Sequence, residues 1–251
     1  MDPNLLILGG TTEATAFAQL ANTSSLRGTV SFAGRVARPK RQPLPQRIGG
    51  FGGIAGLQRY LSMERITHVI DATHPFAAQM SRNAVAACAE TGVPLVALTR
   101  PPWHAVEGDQ WQSAADIASA VAALDQPRKR IMLAVGRMHL ADFAPNPQHY
   151  YLLRLIDPPH APLPLPDSHI IVDRGPFAEA ADRALMDSHG IELVVSKNAG
   201  GTAAYAKIAA ARDLGLPVLM IDRPLVPPRS EVTTPEAALA WIQAHSTNLG
   251  V

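Results

Sequence analysis

Residues 5–21, LLILGGTTEATAFAQLA, bring together parts that can hold a phosphate: an apolar run, two adjacent glycines, two threonines and then a helical pattern. In a dinucleotide-binding turn the first glycine permits the tight bend after the strand. The second lets the backbone approach the pyrophosphate, and the third allows close helix–strand packing. Here Gly9 takes the first place, Thr11 the second and Ala14 the third, with Gly10 beside Thr11 supplying backbone freedom. Thr11, Thr12 and Glu13 open the helix, where unpaired N–H groups and the helix dipole favour an anion. Gly9, Gly10, Thr11, Thr12 and Glu13 are therefore candidate coenzyme contacts. A plain strand–helix turn with threonine caps explains the same residues, and a degenerate glycine turn alone does not decide between them.

The next strand adds a preference. A site for NAD wants an acid at the end of its second strand to hold the ribose diol. TVSFA (29–33) runs instead into GRVARPKR, with Arg35, Arg38, Lys40 and Arg41 and no acid in reach. An arginine there suits a 2′-phosphate through its charge and forked donors, so NADP(H) is favoured over NAD(H), with a solvated basic loop as the bland reading. IGGFGGIAGL (48–57) places five glycines around one phenylalanine. Such a stretch either packs backbone against a ligand, with Gly50, Phe51 and Gly52 in contact, or is a flexible surface loop. DATHPFA (71–77) follows a third strand, and ligands bind at the carboxyl ends of strands in such sheets. Asp71, Ala72, Thr73 and His74 are candidates for that role, while Thr73 also fits as the cap of a helix begun by Pro75.

These turns need a scaffold. Short apolar runs at 5–8, 29–33, 67–71, 94–98, 131–135, 150–156, 169–172, 192–196 and 217–221 alternate with helical patterns at 12–21, 75–91, 177–188 and 203–214. Buried strands alternating with helices indicate α/β architecture with parallel sheets. AACAETGVPLVALTRP (86–101) and AAARDLGLPVLMIDRP (209–224) carry Gly-x-Pro and Arg-Pro at identical spacing. That repeat points to two related α/β domains, divided at the proline-rich RPPWHAVEGDQW (100–111) into 1–101 and 102–251. Residues 36–48 and DPPHAPLPLPD (157–167) are candidate lids.

Composition narrows the classes. With 47% hydrophobic and 17% charged residues the chain can bury a large core. A net charge of +1 excludes a general nucleic-acid or membrane-surface binder. The single cysteine, Cys88, rules out an intrachain disulfide and reads as a packed core thiol in a reducing compartment. The N-terminus has no basic segment ahead of an apolar stretch, and no run approaches the ~18 residues of a membrane span. The expectation is a soluble, cytoplasmic protein. Nine histidines without ligand spacing give no metal site.

Taken together, GGTTEA, GR with its basic loop, RIGGFGGIAGLQRYL, VIDATHPFAAQMSRNA and TRPPW resemble the precorrin-6A reductase family of cobalamin biosynthesis. AVGRMHL (134–140), LLRLIDPP (152–159), DRGPFAEA (173–180) and VVSKNAGGTAAYAKIAAARDLGLPV (194–218) extend the resemblance over nearly the whole chain. It implies NADPH-dependent reduction of a carbon–carbon double bond of precorrin-6A to give precorrin-6B. It also implies two Rossmann-like domains whose sheets exchange their last strands, which the internal repeat alone does not show. Cobalt-precorrin-6A reductases belong to the same family. Such substrates carry many carboxylates and call for several cations, since charge-assisted hydrogen bonds are strong and directional. Arg137 and His139 after one strand, Arg174 after another, Lys197 with Asn198 and Thr202 after a third, Arg154 within a strand, Lys207 in a helix, and Arg38 and Lys40 are the candidate substrate contacts. His74 is the candidate proton donor beside the nicotinamide, with solvent as the alternative source. A generic NADP-dependent reductase of a smaller carbonyl compound would not need that cationic set. A non-catalytic two-lobed binding protein would not need the glycine turn with its arginine. The product of such a reaction is a candidate for handover to the next enzyme of the pathway.

Overall fold

The computed structural model describes residues 2–34, 41–159, 161–175 and 177–247. Their contacts divide them into two compact units. One holds the residues up to Pro101 together with those from Leu225 onward, and the other is Pro102–Pro224. The expected second domain, 102–251, therefore needs correcting at its C-terminal end.

The first unit contains β1 (Asn4–Leu8), α1 (Thr12–Thr23), β2 (Arg27–Phe32), β3 (Gln46–Ile48), α2 (Gly53–Met63), β4 (His68–Asp71), α3 (Ala78–Thr91) and β5 (Leu95–Leu98). The second contains β6 (Gln110–Ala114), α4 (Ile117–Ala123), β7 (Arg130–Ala134), β8 (Tyr150–Leu155), β9 (Ser168–Val172), α5 (Glu179–Ser188), β10 (Leu193–Lys197), α6 (Ala206–Asp213) and β11 (Pro217–Ile221). The chain then returns to the first unit with β12 (Ser230–Val232) and α7 (Pro235–Thr247).

Both sheets have six strands, all pairings are parallel, and the orders are β12-β5-β4-β1-β2-β3 and β6-β11-β10-β7-β8-β9. The two orders are the same when each unit's strands are renumbered, except at the last position. There β6 follows β5 in the chain yet pairs with β11, and β12 follows β11 yet pairs with β5. The sixth strands are thus exchanged.

Period-two alternation explains why LLIL reads as one apolar run. Leu5 and Ile7 pack with Phe17 of α1 and Ala238 and Ile242 of α7. Leu6 and Leu8 turn the other way, onto Leu57 and Leu61 of α2 and Ala84 and Ala87 of α3. Both faces are covered, so neither strand residue class can be polar. Cys88 lies in the second cluster. Burial and then the nearby Asp71 charge push its thiol up to about 12, which leaves it unreactive at neutral pH.

Some sequence expectations change. The glycine-rich 48–57 stretch is only partly a loop, because α2 begins at Gly53. A Cβ on Gly56 would lie 1.7 Å from the Phe51 carbonyl oxygen, so the helix needs glycine there for packing. Of the candidate lid 36–48, residues 46–48 form β3, paired with β2, and 36–40 lie outside the described residues. The helix expected from Pro75 starts at Ala78.

Two outcomes follow from this packing. Gly56→Ala forces backbone apart and is expected to lower stability by about 1–3 kcal/mol, measured by urea denaturation. His68 is 1% exposed on β4, with Nε2 lacking a hydrogen-bond partner among the described residues. Burial, and then His245, hold its imidazole below the ordinary value. The unfolded chain therefore takes up a proton first on acidification, so this contribution to stability is complete above about pH 6.5 and declines below it. His68→Phe should flatten the acid limb of a Tm-versus-pH curve below about pH 6.5.

Candidate functional site

In each parallel sheet the loops that follow the strands gather at one edge, and the crevice lies where the strand order reverses. In the first unit that point falls between β1 and β4. The two glycines of the first turn do different work. A Cβ on Gly9 would meet Val30 Cγ1 at 3.1 Å and Phe32 Cε1 at 3.2 Å, so the turn lies tight against β2. Gly10 has φ +128° and open space where a side chain would stand, leaving its backbone approachable. Thr11 is the N-cap of α1. Its Oγ1 accepts from the Ala14 N–H at 3.1 Å and donates to the Ala72 carbonyl at 2.8 Å, tying the β1 turn to the β4 turn. Thr12 donates to Glu13 Oε2 at 3.0 Å, and Glu13 is ion-paired with Arg100 at 2.9 Å. Burial pushes the Glu13 carboxyl up, but its own backbone N–H, the Arg100 charge and Thr12 outweigh that and hold it below the ordinary value. Its negative charge at the helix N-terminus is offset by Arg100.

The loop after β4 hangs on Asp71, which is 2% exposed. Its Oδ1 accepts from the Thr73 N–H at 3.2 Å and the Thr73 hydroxyl at 2.7 Å. Its Oδ2 accepts from Ser81 Oγ at 2.6 Å and from the Arg229 guanidinium. With these bonds made, Asp71 fastens the loop from within. Thr73 does not cap α3, whose N-cap is Ala77. His74 Nδ1 accepts from the Phe76 N–H at 3.2 Å, and an accepting nitrogen carries no proton, so the neutral ring holds its hydrogen on Nε2.

Gly50, Phe51 and Gly52 lead into α2, whose N-cap, Gly52, offers no side chain to the helix N–H groups. Arg47 shapes this stretch. Its guanidinium donates to Ser31 Oγ at 2.8 Å and to the carbonyls of Gly49 and Gly50 at 3.0 and 3.1 Å, and lies 3.9 Å from the Phe51 ring centroid. Arg35, Arg38 and Lys40 lie outside the described residues.

The second unit reverses its order between β7 and β10. Arg137 and His139 form a short 3-10 turn after β7, with His139 Nδ1 2.9 Å from Asp142. Lys197 ends β10, and Asn198 and Thr202 follow in the next loop. Arg174, after β9, lies 3.8 Å from Asp157, after β8. Arg137, His139, Arg174 and Lys197 therefore share the carboxyl edge. The other candidates carry internal bonds. Arg154 pairs with Asp182, in the first turn of α5, and lies 4.1 Å from the Phe177 ring. Lys207 is buried, donates to the Ala204 carbonyl at 2.6 Å and stands 4.9 Å from the Trp103 ring. Asn198 grips the Trp103 backbone, accepting its N–H at 2.8 Å and donating to its carbonyl at 2.9 Å.

Sequence reasoning missed Arg47, Arg229, Trp103 and Arg223 as side chains that fix these loops. Arg223 donates to the Asn198 and Ala199 carbonyls at 3.0 and 3.1 Å. The repeated Arg-Pro pair was a usable signal for Arg100 and Arg223; Arg229 had none. Among the described residues no group of three or more His, Cys, Asp or Glu could hold a metal ion, and no helix is long and apolar enough to cross a membrane.

Comparison with known proteins agrees with this anatomy. The family model described as precorrin-6x reductase CbiJ/CobK matches residues 4–243. The precorrin-6A reductase of Rhodobacter capsulatus is 56% identical over 241 residues, covering 96% of this chain and 96% of that protein. The precorrin-6A reductase of a Sinorhizobium species is 49% identical over 222 residues, 88% of this chain and 85% of its own. A solved structure of CobK precorrin-6A reductase matches with a TM-score of 0.93 at 56% identity, covering 97% of each chain. A match of this length and closeness, over both sheets and both exchanged strands, places the chain in the precorrin-6x reductase family.

Proposed function

We propose that this chain is a cytoplasmic precorrin-6A reductase that takes its reducing equivalent from NADPH, held by the first unit, and binds the macrocycle through the second. The observation that carries the division of labour is the contrast between the turns after the first strand of each sheet. In the first unit β1 leads through an open glycine backbone into a helix of 12 residues. That combination suits a pyrophosphate, which is met by backbone N–H groups and a helix dipole. In the second unit β7 leads into two 3-10 turns of three residues each, carrying Arg137 and His139. Such short turns have little dipole but present side-chain cations, which suits a ring bordered by carboxylates. The basic sequence around Arg35 supports the phosphorylated coenzyme. The relatives at 56% and 49% identity bear the cobalt-free name, which supports the cobalt-free substrate.

When bound, the coenzyme supplies a hydride to one carbon of the double bond, and a proton completes the neighbouring carbon. The chain's own work is to fix orientation and exclude water. Gly9–Thr12 and the Gly50–Gly52 stretch would hold the coenzyme, with Ala72–His74 alongside. Arg137, His139, Arg174 and Lys197 would hold substrate carboxylates. His74 is the proton donor in this reading: as the imidazolium it would give up one proton and be left as the neutral ring whose Nδ1 accepts from the Phe76 N–H.

The direct test incubates the full chain with precorrin-6A and NADPH and follows the visible spectrum. One NADPH should be consumed per macrocycle, and NADH should bind more weakly. Equal binding of the two coenzymes would remove the role given to Arg35. His74→Ala should lower kcat by about 10²-fold or more with little change in KM. An unchanged kcat across pH would transfer the proton step to solvent.

A further inference from the structure

We propose that the segments leading into the exchanged strands are the positioning elements of the ligand loops in the units they enter: Arg229 for the loop after β4, and Trp103 for the loop after β10. The inference rests on the ligand assignment above, and its test separates the two.

Arg229 is the residue before β12, and its side chain is 10% exposed where it meets Asp71, whose side chain is 1% exposed. The same carboxylate accepts from Thr73 in the loop and from Ser81 in α3. One anion thus joins an incoming strand, a loop and a helix. Removing a cation from a buried pair leaves an uncompensated charge, which is strongly unfavourable, so the path of residues 71–74 depends on Arg229. The next link is short: the Ala72 carbonyl accepts from Thr11, the N-cap of α1. A shift at Asp71 therefore reaches both His74 and the nucleotide turn.

Trp103 enters the second unit ahead of β6. Asn198 holds its backbone at both N–H and carbonyl, and its indole Nε1 donates to the Gly201 carbonyl at 2.7 Å. Tyr205 packs edge-on at a centroid distance of 5.6 Å, and Lys207 stands over the ring. The loop that begins at Lys197 is therefore pinned to Trp103 at 198 and again at 201. The chemistry of the two fasteners differs, an ion pair in one unit and an amide–indole clasp in the other. Their place is the same: the loop after the strand between the first and fifth strands of each sheet.

The test measures the NADPH Kd by nicotinamide fluorescence, the precorrin-6A KM and Tm on the full chain. Arg229→Lys keeps the charge but loses the forked donor. It should raise the NADPH Kd about tenfold, the effect of one charge-assisted hydrogen bond, with the macrocycle KM nearly unchanged. Trp103→Phe keeps the ring and loses the Nε1 donor, and should raise the macrocycle KM about fivefold with NADPH binding nearly unchanged. Should Arg229→Lys not fold, Ser81→Ala removes a different bond to Asp71 and should weaken NADPH binding in the same direction. Unchanged ligand constants, or equal losses for both ligands in each variant, would reduce these residues to packing and overturn the inference. If Arg229→Lys instead weakened the macrocycle and Trp103→Phe weakened NADPH, positioning would stand and the ligand assignment would fall.

Discussion

The outer edge of the fifth strand in each sheet is the constraint on which this fold turns. β5 and β11 are apolar strands, LVAL and PVLMI, and a bare edge there would leave backbone N–H and C=O groups without partners. A parallel neighbour must arrive by a crossover of a dozen or more residues, usually a helix. No helix lies between β5 and β6, or between β11 and β12, and both connections are rich in proline. The chain cannot return beside the strand it has just left. Each connection instead ends as the missing edge of the other sheet. Neither sheet is complete until the chain has passed through both units.

That arrangement governs where charge is placed. Inside each unit, buried acids have dedicated arginines: Asp71 has Arg229, and Asp182 has Arg154. Burying either member alone would be far more costly than burying both. These arginines hold structure together and are committed to it. The side chains at the carboxyl edge of the second sheet are less buried: Arg137 is exposed, and Arg174, half-exposed, lies 3.8 Å from Asp157.

The parts legible in the sequence are those set by local chemistry. Strands covered on both faces announce themselves as apolar runs, and β1, β4, β5, β7, β10 and β11 were all readable in this way. Three of the four edge strands were not: β3 is QRI, β6 is QWQSA and β12 is SEV, with polar residues on open faces, whereas the fourth, β9, announced itself through HIIV. The turns at the candidate site were legible because glycine and threonine spacing is local. What each side chain is committed to was not, because its partner lies far off in the chain. Arg154 and Asp182 are 28 positions apart, Trp103 and Asn198 are 95, and Asp71 and Arg229 are 158. Periodicity carries no information about such pairs, so the internal bonds of Arg154, Asn198 and Lys207 could not be read from it. The glycine run misled for the opposite reason: Gly56 serves a close backbone contact inside a helix, which resembles loop flexibility when only composition is visible.

The repeated Arg-Pro pair shows one position in the fold put to two uses. In each unit the arginine stands just past the fifth strand, and the proline after it ends pairing by removing an N–H. Both therefore mark the point where the chain leaves for the other sheet. Arg100 grips a carboxylate, Glu13, and so offsets an acid at the N-terminus of α1. Arg223 grips two carbonyls, those of Asn198 and Ala199, and so stiffens the loop after β10. Under the proposed assignment, an unmatched acid at the N-terminus of α1 would oppose a phosphate, and Arg100 removes that opposition. A loop proposed to present Lys197 to a substrate would need a fixed backbone, and Arg223 supplies it. The same side chain at the same place in the fold thus meets a carboxylate in one unit and backbone carbonyls in the other.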